Sequence, residues 1–183
     1  RLAELGFTVI GVEFRNAAGR LGPHCFPAGL NDCMASLEYV FTNKKELNID
    51  KIILLGESGG ANLCLSLALL ARQRHVQHWI DGVYGLCPYI YGDYDYLTKD
   101  DPTPTCVAAS AASDVDAQAP FPLSLRENDG LLLPRCRDMH ALALLYLPEG
   151  EKPSDHPLAW PYHTSLASMQ GLPPHVISVN ELD

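Results

Sequence analysis

The sequence predicts the α/β class, with a mainly parallel sheet that helices cover on both faces. Short apolar, β-branched runs alternate along the chain with segments whose apolar residues recur at helical spacing. Such alternation is typical of strands joined by crossover helices, because parallel neighbours need long connections. The 183 residues fit one domain, and no internal repeat divides them.

Each element rests on its own local pattern. The run GFTVIGVEF is β-branched and aromatic, while the two long helical segments repeat apolar residues every three or four positions. Segments rich in Gly, Asn and Pro at 15–26 and 148–161 predict loops. In chain order, the predicted regular elements are a strand at 6–14, a helix at 27–47, a strand at 52–55, a helix at 59–72, a strand at 79–87, a helix at 134–147 and a strand at 175–179.

The middle of the chain departs from this alternation. Residues 89–134 are rich in Tyr, Asp, Pro and Thr and show no sustained periodicity. A stretch of that length without a pattern is typical of a functional lid or an insertion. The sequence therefore predicts an insertion within an α/β domain.

The charge balance argues against one class of partner. The net charge of −9 comes from 22 acids against 13 bases, and no basic cluster exceeds Lys44-Lys45. A nucleic-acid interface needs a basic footprint, so nucleic acid is not expected as a partner. The longest apolar stretches, such as 63–71, are too short to span a bilayer, so no membrane span is predicted.

The six cysteines include no C-x-x-C pair. A domain of this size does not need a disulfide framework, which favours a reducing, cytoplasmic compartment without identifying it. Cys136 and His140 would share one helix face, but no second ligand pair accompanies them, so both are expected on a helix surface. The sequence predicts no metal and no other cofactor, and a homo-oligomer is compatible with it.

One motif carries chemistry. Gly56-Glu57-Ser58-Gly59-Gly60 is a G-x-S-x-G motif between a predicted buried strand and a predicted helix. In that context a serine takes a strained conformation that raises its hydroxyl above the sheet, and side chains at Gly56 and Gly60 would collide with nearby backbone. The helix N-terminus would face a developing oxyanion.

Two other interpretations of the motif stay open. One is a glycine-rich strand-to-helix turn that contains a serine without a chemical role. The other is a phosphate-binding loop, although the chain has neither G-x-G-x-x-G nor a Walker lysine. The position between strand and helix favours Ser58 as a nucleophile.

A serine nucleophile needs a general base and an acid that orients it. Asp183 follows the last predicted strand, where that acid belongs, and Glu181 is its local rival. No residue follows Asp183, so the base is expected outside this chain, which is expected to be a truncated piece of a longer hydrolase. The histidines set aside as bases are His75, His78, His140, His156, His163 and His175.

These residues resemble the hormone-sensitive-lipase-like branch of the α/β hydrolases, the α/β-hydrolase fold-3 family, over almost the whole chain. VEFR at 12–15, followed by FPA at 26–28 and Asp32, is similar to the family's strand, turn and helix. The serine motif with Asn62 and the end VNELD at 179–183 are similar to its nucleophile and acid motifs.

The resemblance implies the α/β-hydrolase fold, with Ser58 as nucleophile, Asp183 as triad acid and the Gly59 amide as an oxyanion donor. It also implies a cap, to which about 89–147 would contribute, so 1–183 would be a partial catalytic domain. The family's His-Gly-Gly-Gly loop is expected before residue 1, and its catalytic histidine is expected after Asp183. Five tyrosines stay open between packing and pocket lining: Tyr84, Tyr89, Tyr91, Tyr94 and Tyr96.

Two functional hypotheses follow. The first is a serine carboxylesterase that acts on small or medium acyl esters of small molecules, with the fragment alone expected to be inactive. The alternative is a catalytically inactive receptor for a small ligand on the same scaffold, as in plant gibberellin receptors, since fold does not fix function. The residue at the missing histidine position would discriminate between them. Arg15 and Asp32 are expected to form a structural ion pair or loop hydrogen bonds rather than to contact substrate.

Overall fold

The computed structural model describes residues 2–20, 22–94 and 135–180. Within these ranges, a parallel three-stranded sheet is combined with helices, as the sequence predicts. No helix in the described part is both long and apolar enough to cross a membrane. The helices and strands in chain order are α1 (Ala28–Thr42), β1 (Ile53–Glu57), α2 (Gly59–Gln73), β2 (Gly82–Leu86), α3 (Cys136–Tyr146), α4 (Leu166–Met169) and β3 (His175–Ser178).

The strands lie in the order β1-β2-β3, and both pairs are parallel. Ile53 is opposite Gly82 in the first pair, and Val83 is opposite His175 in the second. The carboxyl ends of all three strands therefore lie at one edge of the sheet. In open α/β sheets this is the edge where ligands bind. The chain enters Ser58 directly from β1 at this edge.

Helix α2 covers one face of the sheet. It packs against β1 and β2, and a Cβ built at Gly85 would lie 3.5 Å from the Ala61 Cβ. Helix α1 packs in turn against α2, so α2 is buried along most of its length. The core between these elements consists of Leu30, Met34, Leu37, Val40, Ile52, Leu63, Leu65, Leu67, Ala68, Leu70, Ala71, Ile80 and Val83.

The opposite face of the sheet is open within the described ranges. Leu55, Tyr84 and Val176 are in register and point to that face, where Leu55 and Val176 are more than half exposed. The sequence predicts helices on both faces because strands alternate with helices along the chain. In the part of the chain that the structure describes, α2 is the helix that packs on β1 and β2, and the second face has no such cover.

The predicted strand at 6–14 is wrong. Residues 7–14 carry no strand pairing in the described part of the chain, and Phe7, Val9 and Ile10 are largely exposed. A groove of about 430 Å³ separates this segment from β1 and is lined by both. β-branched composition favours extended backbone, but a strand forms only where a neighbour supplies the hydrogen bonds.

A second apolar cluster lies around α3. It contains Tyr94, Ala143, Leu147, Ala159 and Trp160, and Phe26 and Tyr89 pack against it. The Phe26 amide donates to the Tyr146 carbonyl at 2.7 Å, which connects this cluster to the segment before α1.

The structure corrects the prediction for the start of α3. Cys136 is buried rather than on a helix surface, and His140 is half-buried. The pattern at 134–147 predicts α3, but it does not reveal that Cys136 is buried or that Met139 packs against the cluster. The prediction that about 89–147 forms a cap falls largely on residues outside the described ranges.

Candidate active site

The turn from β1 into α2 holds Ser58 in a conformation that serine rarely adopts. Its φ is 53° and its ψ is −118°, outside the regions that L-residues normally occupy. Such conformations cost about 1–3 kcal/mol, and they cluster at active sites and ligand-binding sites. The strained turn that the motif predicts at Ser58 is therefore present, directly after the exposed Glu57.

Gly56 allows this turn to pack tightly. A Cβ built at Gly56 would lie 2.3 Å from the carbonyl carbon and oxygen of Gly60 and 2.6 Å from the Ala61 nitrogen. All three atoms belong to the backbone, so no flexible side chain can move away. The predicted steric need for glycine at position 56 is confirmed.

At Gly60 the same expectation is wrong. A Cβ built there meets no described atom within 4 Å, and its φ lies outside the left-handed region. Gly60 therefore provides the backbone that Gly56 approaches, but it does not itself need to lack a side chain. The motif alone does not distinguish the two glycines, because the contact depends on how α2 leaves the strand.

The backbone of Ser58 is fixed by three hydrogen bonds. Its amide donates to the Leu86 carbonyl at 2.9 Å. Its carbonyl accepts from the Asn62 amide at 3.0 Å and from the Tyr89 amide at 3.2 Å. The strained turn is thus tied to β2, to α2 and to the segment that follows β2.

The Ser58 side chain is exposed and has no hydrogen-bond partner among the described residues. Helix α2 begins at Gly59, which is also exposed. The first amides of a helix have no partner within it, and they carry the positive end of its dipole. A free hydroxyl next to unpartnered amides suits attack on a carbonyl and stabilisation of the resulting oxyanion.

A cavity of about 310 Å³ lies beside this turn. Its walls come from the start of α2, the loop after Arg15, α3, and three aromatic residues outside regular elements. The lining is mostly apolar, and it consists of Phe14, Asn16, Ala17, Ala18, Gly59, Gly60, Asn62, Leu63, Tyr89, Leu142, Leu145, Tyr146 and Trp160.

Of the tyrosines that the sequence leaves open, Tyr89 serves both purposes, and Tyr91 and Tyr94 pack in the cluster around α3. Tyr89 lines the cavity and stacks on the buried Tyr94, with ring centroids 5.6 Å apart. Burial raises the pKa of Tyr89 and of Tyr146, so both phenols stay neutral in the cavity wall. Tyr96 lies outside the described residues.

Arg15 and Asp32 form the predicted ion pair. The Arg15 Nη2 and Nε atoms lie 2.8 and 2.9 Å from the two Asp32 carboxylate oxygens, and the Arg15 amide donates to the same carboxylate. Hydrogen bonds from Arg15 hold the pKa of Asp32 at about 2. The pair joins the start of the cavity loop to α1.

This pair predicts a specific acid sensitivity. The pKa of Asp32 is lower in the folded chain than its ordinary value of 3.8, so the pair stabilises the fold above about pH 4. That stabilisation is lost as the pH falls from about 4 to about 2. In urea unfolding of the full-length protein, Asp32→Asn should lower the midpoint at pH 6 more than at pH 2.

Arg15→Gln is the matched variant. Its urea midpoint should also differ from that of the unchanged protein more at pH 6 than at pH 2. Because the pair is exposed, both differences should be modest. Equal differences at pH 2 and pH 6 would contradict the assigned pKa.

The seven histidines of the chain all lie in the described part, and none of them hydrogen-bonds Ser58. His163 Nε2 lies 2.9 Å from the Tyr91 carbonyl, and His156 Nε2 lies 2.6 Å from a Glu151 carboxylate oxygen. The two acid candidates, Asp183 and Glu181, lie outside the described residues, so their placement stays a prediction.

Two residues that shape this site could not be predicted from the sequence. Asn62 belongs to the serine motif, but the motif does not reveal that its buried side-chain amide donates hydrogen bonds to two distant carbonyls. Trp160 lies in a predicted loop, and the sequence does not reveal that it is fully buried and lines the cavity. No group of three or more potential metal ligands occurs among the described residues.

The fold and the site together define a class. A parallel sheet with a strand that ends in a strained serine turn at the head of a helix is the arrangement of the α/β hydrolases. A family model described as "alpha/beta hydrolase fold" matches residues 2–183. The chain belongs to the hormone-sensitive-lipase-like branch of this fold, the α/β-hydrolase fold-3 family.

Several relatives are esterases by name. An acetyl esterase of Salmonella paratyphi B is 31% identical over 112 residues, which are 52% of this chain and 33% of that protein. The structure is similar to that of brefeldin A esterase, described as a bacterial homologue of human hormone sensitive lipase. The TM-score is 0.75 at 38% identity, covering 93% of this chain and 42% of that chain.

Esterase Est22 is similar with a TM-score of 0.68 and 38% identity, covering 93% of this chain and 45% of that chain. This chain thus spans a third of the length of the acetyl esterase and less than half of both solved esterases.

Proposed function

We propose that this chain carries the nucleophile of a serine carboxylic-ester hydrolase that acts on small or medium acyl esters. The observation that carries the proposal is Ser58, which combines a strained backbone with an exposed hydroxyl at the N-terminus of α2. Its side chain has no hydrogen-bond partner among the described residues, and an apolar cavity lies beside its turn. The esterase names of the relatives support ester chemistry.

In the proposed reaction, Ser58 Oγ attacks the ester carbonyl while a histidine takes its proton. The Gly59 amide stabilises the tetrahedral oxyanion from the first turn of α2. The histidine then protonates the leaving alcohol. In the second half of the reaction the histidine takes a proton from water, the water oxygen attacks the acyl-enzyme, and Ser58 Oγ leaves with a proton from the histidine. Asp183 orients the histidine and stabilises its charged form.

The histidine is proposed to come from outside the seven of this chain. Those seven make no hydrogen bond to Ser58, and two that lie near the cavity segments are held by other groups. Because the chain spans less than half of its solved relatives, the activity is proposed for the whole protein.

The size of the cavity supports small or medium acyl groups. An apolar cavity of about 150 Å³ holds one benzene molecule. The cavity beside Ser58, at about 310 Å³, is about twice as large. Its mostly apolar lining favours a hydrocarbon group over a charged one.

Covalent labelling tests this proposal directly. Incubation of the full-length protein with a fluorophosphonate should modify Ser58 stoichiometrically, because the phosphorus adduct resembles the tetrahedral intermediate. Mass spectrometry of the peptide that contains Ser58 measures the modification. The exposed Ser154, which lies outside the strained turn, should stay unmodified. A protein that binds small esters without labelling at Ser58 would favour the receptor alternative.

A further inference from the structure

Asn62 is a buried amide near the start of α2, and all its side-chain groups are hydrogen-bonded. Its Nδ2 donates to the Tyr89 carbonyl at 2.8 Å and to the Ala159 carbonyl at 2.9 Å. Its Oδ1 accepts from the Ser66 hydroxyl at 3.3 Å. Neither carbonyl accepts another hydrogen bond within the described ranges. Asn62 therefore satisfies both of them.

The two carbonyls belong to separate segments that form walls of the cavity. Tyr89 follows β2 and lines the cavity, and Ala159 precedes Trp160, which also lines it. The Tyr89 and Trp160 rings meet edge to face, with centroids 5.2 Å apart. Asn62 thus ties two walls, distant in sequence, to one helix.

The backbone of Ser58 belongs to the same network. Its carbonyl accepts from the amides of both Asn62 and Tyr89. A shift of the segment at Tyr89 would therefore move a cavity wall and loosen one of the bonds that hold the strained turn.

We propose that Asn62 is a positioning residue that sets the shape of the cavity beside Ser58, and thereby the selection between short and longer ester groups. This inference rests on the proposed ester hydrolysis. Asn62 acts through Tyr89 and Trp160, not on the reacting atoms. Without its two donors, the buried carbonyls would turn toward water and the walls would separate.

The test compares selectivity rather than activity alone. For the acyl side, kcat/KM of the full-length protein is measured with p-nitrophenyl hexanoate and with p-nitrophenyl acetate. The ratio of the six-carbon to the two-carbon value is the first selectivity ratio. For the alcohol side, the second selectivity ratio is kcat/KM for hexyl acetate divided by kcat/KM for ethyl acetate. A loss of folded protein lowers all four values equally, so it leaves both ratios unchanged.

Asn62→Asp keeps the shape of the side chain and removes both donors, and Asn62→Ala removes the whole amide. Each should lower at least one ratio about fivefold or more, since one methylene in a formed pocket is worth about tenfold or more. Ser66→Ala is the matched control, because it removes a bond to Asn62 Oδ1 but leaves both carbonyl bonds. Its ratios should stay unchanged.

Unchanged ratios in the Asn62 variants, with Ser58-dependent hydrolysis present, would overturn the inference while the proposed function stands. Failure of both variants to fold would assign Asn62 to folding alone and would also overturn the inference.

If neither the unchanged protein nor any variant hydrolyses esters, the proposed function fails. Acrylamide quenching of Trp160 fluorescence then tests whether Asn62 holds the cavity walls together. The Trp160 signal is obtained by subtracting the Trp160→Phe protein in each background. Increased quenching in the Asn62 variants would support a cavity-shaping role, and unchanged quenching would exclude it.

Discussion

Ser58→Ala is expected to lower kcat for p-nitrophenyl butyrate by at least about 10⁴-fold in the full-length protein. The variant lacks Oγ, the only atom of this residue that can form the acyl-enzyme. Direct attack of water on the ester would be much slower than attack by the serine hydroxyl. The measurement is steady-state hydrolysis, monitored as release of p-nitrophenol. Circular dichroism of the variant checks that the loss is chemical.

Ser154→Ala is the matched control, because Ser154 is exposed and lies in a short 3₁₀ helix, Pro153–Asp155, that is not part of the strained turn. Its kcat should equal that of the unchanged protein. If Ser58→Ala kept its rate within about tenfold, the nucleophile would have to be a different group, and the proposed function would need another site.

Gly56→Ala is expected to lower the free energy of unfolding by about 3 kcal/mol or more. The added methyl group would overlap the backbone of Gly60 at 2.3 Å, and relief requires α2 to move away from β1. Urea unfolding of the full-length protein measures the change. The displaced helix also carries the amide of Gly59, so activity should fall with stability.

Gly60→Ala provides a sharp comparison within the same motif. Its methyl group meets no described atom within 4 Å, and Gly60 lies in the first turn of α2. The change in unfolding free energy should therefore stay within about 1 kcal/mol of zero. Equal destabilisation by both substitutions would contradict the packing described for this turn.

The elements around the site could be predicted because their signals are local. Leucines at helical spacing identified α2, and the predicted helix at 59–72 corresponds closely to Gly59–Gln73. The strand before it was also found, although it extends through Glu57 rather than ending at residue 55. The leucine spacing and the apolar run each depend on one chain segment and on the surface that it packs against.

Long-range contacts explain what the sequence did not reveal. The segment at 7–14 has the composition of a strand, but it pairs with no strand in the described part of the chain. Cys136 lies in a predicted surface helix, yet its own side chain is buried. Both errors arise because composition describes a segment and not its neighbours.

The same distinction applies to the site. The motif predicted Ser58 and its strained turn from five adjacent residues. The cavity walls at Asn16 and Trp160 are far from that motif in sequence, and only the folded chain brings them beside it. The role of Asp183 stays a prediction, since that residue lies outside the described ranges.

The loop after Arg15 has a consequence for the diversification of this family. Arg15 is held by Asp32, and the Phe26 amide is held by the Tyr146 carbonyl, so both ends of the loop are anchored. Between such anchors, doubling the length of a flexible loop costs only about 0.6 kcal/mol. Insertions and deletions there can accumulate at little thermodynamic cost. Since Asn16 and Ala18 line the cavity, a change in the length of this loop would reshape the cavity without changing the sequence of the serine turn.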